Sequence, residues 1–139
     1  MLVLKILIAI IIVVVLALII KSINNYTIKK YNYDFFNYGN LILISIAYFG
    51  AFFGYKWYIN ALHTHADTLN GILLIGISGI IILSVFIYNI RKTSFLFGFF
   101  IGIIQLLLYI PLSMFVALII LLFIAWASET KPVYVWNNN

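Results

Sequence analysis

ILIAIIIVVVLALII, residues 6–20, decides the fold. Every position in it is Ile, Leu, Val or Ala, and with Leu2 to Leu4 beyond Lys5 it comes close to spanning roughly 30 Å of hydrocarbon. So many β-branched residues make a poor helix in water. In lipid each backbone amide must be satisfied within its own segment, which a lone strand cannot do, so a first membrane-crossing helix is predicted over about 4–20. The length also resembles a secretory signal. The stretch Leu18-Ile19-Ile20-Lys21-Ser22 offers no pair of small residues spaced for cleavage, so the segment is expected to stay as an anchor.

The rest of the chain agrees with that solvent. Of 139 residues, 66% are hydrophobic and 8% charged, where a water-soluble domain carries about 45–50% and about 25%. A water-soluble globule is excluded, and the bilayer is the expected partner. The net charge of +5 comes from scattered residues, not from a basic face, so no nucleic-acid partner is expected. The absence of cysteine removes disulfides, thiolate nucleophiles and cysteine-bound metal. The length suits one integral membrane domain, residues 1–139.

Three further spans follow from the apolar runs, over about 41–59, 71–90 and 95–127, giving an all-α, polytopic bundle of four transmembrane helices. Lys56, near the end of the second run, can snorkel to water beside Trp57 and Tyr58. Lys21 to Asn40 is the one long polar interval. Its five Asn, four Tyr and Lys29-Lys30 suit the headgroup level, either as a short surface-lying helix or as a loop with interfacial tyrosines. The last run is longer than one crossing needs and contains Pro111. One long kinked helix is favoured over a hairpin turning near Pro111, because no glycine or charge marks a turn there. Basic residues by alternate sides set Lys21, Lys29, Lys30, Arg91 and Lys92 against Lys5, Lys56 and Lys131. That bias predicts both termini outside, in a bacterial inner membrane. The rings of Tyr134 and Trp136 are expected to return the tail to the interface.

In lipid, burying leucine gains little, so small residues mark helix packing. Ala47, Gly50, Ala51 and Gly54 recur at intervals of three and four along the second span. Gly76 and Gly79 on the third span and Gly98 and Gly102 on the last complete the candidate packing positions, facing either another span or another chain. The polar residues expected inside the hydrocarbon are Ser45, Ser78, Ser84, Gln105 and Ser113, with Tyr48 and Tyr109. Gln105 stands out, because an amide facing lipid is costly. It is expected either to bond another helix or to line a pore.

His63-Thr64-His65-Ala66-Asp67 is the one cluster whose residue types suit a metal or a proton relay. It is read as a solvated connector, because catalytic zinc takes three protein ligands and this loop would need another donor, such as Glu129. No metal or other cofactor is therefore expected, with His63, His65 and Asp67 the only candidates. No nucleophile–base pair, phosphate loop or dinucleotide fingerprint is present in the sequence. These readings lead to a noncatalytic membrane protein that assembles with its own copies or other membrane subunits, as an accessory, anchoring or assembly component. A small oligomeric pore and a metal- or lipid-active enzyme are the alternatives.

Overall fold

The computed structural model describes residues 1–129. Within them lie four helices, α1 (Leu2–Tyr31), α2 (Tyr38–His63), α3 (Leu69–Lys92) and α4 (Phe95–Glu129), and no strand. All four are long and apolar enough to cross a membrane, so the chain is an all-α integral membrane protein. Each predicted span lies inside one helix. The tail bearing Lys131, Tyr134 and Trp136, and the side chain of Glu129, lie outside the described residues.

The polar interval after the first span differs from both forms expected for it. Lys21 to Tyr31 continues α1, and only residues 32–37 connect it to α2. Nothing between Lys21 and Tyr31 breaks a helix, since the stretch has neither Gly nor Pro. The stop comes at Asn32, which takes a left-handed conformation at φ 52°, ψ 39°. Asn tolerates that region better than most residues, and the turn returns amide donors to the last helical carbonyls, Asn32 N–H to Ile28 O and Tyr33 N–H to Thr27 O. Asn37 then opens α2, its side chain accepting from the Asn40 amide at 2.7 Å.

α2 and α3 form the tightest pair, and glycine sets the spacing. A Cβ on Gly71 would lie 2.7 Å from the Tyr58 nitrogen and 2.9 Å from the Gly54 carbonyl oxygen, so the two backbones meet directly. Gly50 on the same face receives Ser78, and Ala47 is fully buried. Ala51 is half-buried at the edge of that seam. α4 approaches α3 through Gly98, against Ile90 and Thr93, and through Gly102, against the ring of Phe86. Further along, α4 turns its contacts to the 32–37 connector and to α2.

α4 continues through Pro111 as one helix, so the hairpin does not form. Proline removes one amide donor and leaves the Leu107 carbonyl without its usual helical partner, a defect a single helix tolerates without reversing. The buried apolar centre is Ile44, Val85 and Tyr109, with Phe36, Leu41, Tyr48 and Leu106 against it. α1 stands apart from this centre. Of its first nineteen residues all but Leu16 and Ile20 are exposed, and its most apolar window has a mean hydropathy of 3.5 with nothing buried inside the protein. What holds α1 lies at its other end: Asn24 brackets Phe36, accepting from its amide at 2.8 Å and donating to its carbonyl at 3.3 Å. The rings of Tyr26 and Tyr31 rest on Phe97.

Candidate functional site

The connector 32–37 is surface-facing only in part, at the exposed residues Asn32 and Asp34. Phe35 is fully buried, and its carbonyl is received by side chains from two helices, α4 and α2. Gln105 Nε2 donates to the Phe35 carbonyl at 2.7 Å, and Asn40 Nδ2 reaches the same oxygen at 3.3 Å. A buried carbonyl without a donor costs about 1–3 kcal/mol, so these amides are what permits an irregular segment inside an apolar bundle.

Asn89 ties the cluster together. Its Oδ1 accepts from Tyr33 Oη at 2.6 Å and from Asn40 Nδ2 at 3.1 Å, while its Nδ2 donates to Gln105 Oε1 at 2.6 Å. Gln105 Nε2 also faces Tyr109 Oη at 3.4 Å, and that hydroxyl donates to the Asn37 carbonyl at 3.4 Å. Asn89 and Gln105 are almost completely buried. The network therefore joins the connector, α2, α3 and α4 through neutral side chains and backbone carbonyls. Burial pushes the Tyr33 phenol above its ordinary range, so it remains protonated and able to donate to Asn89.

Gln105, singled out for its position, thus has both ends of its amide engaged within the chain and presents no free polar face to a pore. Ser78 Oγ and Ser84 Oγ each return to the carbonyl four residues earlier, at 2.8 and 2.7 Å, with Ser78 buried against Gly50 and Ser84 exposed. Ser113 is buried and bonds the Ile110 carbonyl. Ser45 is different: its hydroxyl is buried with no hydrogen-bond partner. Ser45→Ala is expected to leave stability unchanged or raise it by up to about 1 kcal/mol, since it removes an unsatisfied polar atom. Detergent-titration unfolding measures this, and a loss above 1 kcal/mol would show that the hydroxyl has a partner.

The histidine segment is exposed throughout. His63 closes α2, and His65 occupies the left-handed region at φ 51° in the tight turn that follows. Asp67 Oδ1 accepts from the Leu69 amide at 2.9 Å, helping to begin α3. Among the described residues no three His, Cys, Asp or Glu side chains converge to hold a metal. Lys56 lies with its ammonium 4.8 Å from the centre of the Phe52 ring.

Two cavities flank α1. One of about 470 Å³ lies between α1 and α4, walled only by apolar side chains including Ala9, Leu16, Leu108, Pro111 and Phe115. The second, about 530 Å³, lies where α1 meets the connector and adds polar groups to a largely apolar wall, with Lys21, Asn24, Asn25, Asp34 and Asn37 in it.

Gly76 and Gly79 sit apart from all of this. A Cβ on either would meet nothing within 4 Å, unlike the glycines at the α2–α3 and α3–α4 contacts. The missed residues are Asn89, Asn40 and Tyr33. Asn89 carried a signal, an amide within the apolar run 80–90, of the same kind that drew notice to Gln105.

These features define a helical membrane protein whose buried amides are bonded to one another and to the connector. No protein-family model matches the chain, and comparison with curated proteins and with solved structures gives no significant match.

Proposed function

We propose that this protein is a noncatalytic accessory, anchoring or assembly component of the membrane, acting as a homo-oligomer or beside other membrane subunits. The observation that carries the reading is the outward face of α3. Ile72, Gly76, Gly79 and Leu83 follow one another at helical spacing, with Ile72 and Leu83 exposed and both glycines open to close approach. In lipid, association depends on backbones approaching closely, so glycines left uncovered by the chain's own helices suit a helix from another chain. The exposed halves of α1 and α4 add surface of the same kind. Helical spans, in place of the strands of outer-membrane barrels, support the bacterial inner membrane as the location.

The test is the mass of the particle released by gentle detergent, together with cross-linking in native membranes. The intact protein is expected to exceed the 15.9 kDa of a single chain. Gly76→Leu and Gly79→Leu should return it to one chain while leaving the unfolding midpoint of that chain in place. A single chain in both native membranes and detergent would overturn the proposal.

A further inference from the structure

The two cavities beside α1 share Ala17, Ile20 and Leu112 in their walls, so together they form one cleft with a polar head and an apolar length. The head holds one cation, Lys21, and one anion, Asp34, and no ion pair joins either to a described residue. The apolar part follows α1 back from Lys21 to Ala9, twelve steps of about 1.5 Å, or roughly 18 Å. One leaflet is about 15 Å deep, half of the hydrocarbon core. Lys21 also ends the unbroken apolar run of α1, which sets the polar head where headgroups lie.

From this arrangement we infer that the cleft binds one glycerophospholipid whose zwitterionic headgroup ends in a primary amine. The phosphate faces Lys21, the ammonium faces Asp34, and an acyl chain lies between α1 and α4. Charge decides among headgroups. A quaternary ammonium has no N–H to donate to a carboxylate. A headgroup of net negative charge leaves Asp34 beside a like charge. The combined size suits an amphiphile, since sites for small molecules run from roughly 300 to 1,000 Å³ and each part falls in that range. The polar head is held in shape by Asn24, which brackets Phe36, and by Asn37, which donates to the Asp34 carbonyl at 2.9 Å. The cleft lies within one chain, so it does not depend on the assembly proposed above.

The full-length protein in mild detergent, offered equal amounts of phosphatidylethanolamine, phosphatidylcholine and phosphatidylglycerol with identical acyl chains, is read by native mass spectrometry. One phosphatidylethanolamine per chain is expected to be retained about five- to tenfold over the other two, as one charge-assisted hydrogen bond at a half-open site gives. Asp34→Asn should bring its retention down to that of phosphatidylcholine, which itself stays unchanged. Lys21→Gln should lower all three, and Ala17→Phe, which places a ring in the shared wall, should abolish the adduct. All three positions are exposed, so helix content and particle mass should match the parent. Equal retention of the three lipids by the parent, or an undiminished phosphatidylethanolamine adduct in Asp34→Asn or Ala17→Phe, would overturn the inference.

Discussion

Gln105→Leu is expected to lower the stability of the bundle by about 2–3 kcal/mol, among the largest effects of any single change at a polar residue in this chain. The leucine fits the volume, so the loss is one of partners. Asn89 Nδ2 is left without its 2.6 Å acceptor, and the Phe35 carbonyl keeps only the longer bond from Asn40. Interhelical hydrogen bonds in membranes average about 0.6 kcal/mol because the separated helices also find partners. The larger figure applies here because a buried donor is orphaned. Asn89→Leu should cost a similar amount, as it frees Tyr33 and Asn40 as well. The double variant separates a network from a set of independent bonds: removing both amides relieves the orphan, so the combined loss should fall short of the sum by more than 0.5 kcal/mol. Unfolding in detergent mixtures, followed by helix content, gives all three values. Strict additivity would mean that Asn89 and Gln105 do not act together.

Gly71→Leu is expected to do more damage still, costing 3 kcal/mol or more, or preventing accumulation of the folded protein. The new side chain meets backbone atoms of Gly54 and Tyr58 at under 3 Å, and backbone cannot rotate aside as a side chain can. α2 and α3 must separate along the seam that includes Gly50 and Ala47. Gly76→Leu, five residues along the same helix, provides the contrast, with a stability expected within about 0.5 kcal/mol of the parent, because its new side chain enters open space. Equal losses for the two leucines would show that the close approach at Gly71 does not set the cost, since both changes raise helix propensity.

That contrast also shows where sequence reading stops. Gly50, Gly54, Gly76 and Gly79 all announce a smooth helix face, but spacing along one helix does not say which face another helix will occupy. Only the fold shows that Gly54 meets Gly71 while Gly76 and Gly79 remain open. The spans themselves were legible, because lipid imposes both length and composition on any helix that crosses it. The end of α1 was not. Lys21 to Tyr31 reads as interfacial by composition, and the helix runs through it because no local breaker precedes Asn32.

The amide network was half legible. Gln105 is conspicuous in an apolar run, and the need for a polar partner follows from the cost of burying it alone. Its partners could not be named, since Asn89 and the Phe35 carbonyl lie 16 and 70 residues away. Backbone carbonyls also leave no mark in a sequence. The inward path of the connector was hidden for the same reason: Asn and Tyr suit an interface and a sealed network equally well. The cleft beside α1 depends on two helices separated by most of the chain, so no local pattern records it.

The separation between Phe35 and Gln105 has a consequence for biogenesis. Translation delivers the carbonyl long before its closer donor, so a nascent chain that has emerged only as far as α3 holds an irregular segment whose buried carbonyl has only the longer Asn40 bond. Until α4 arrives, that segment is better served by staying at the aqueous boundary. Membrane insertion and final closure are thereby separated in time, and the last helix made acts as the bolt.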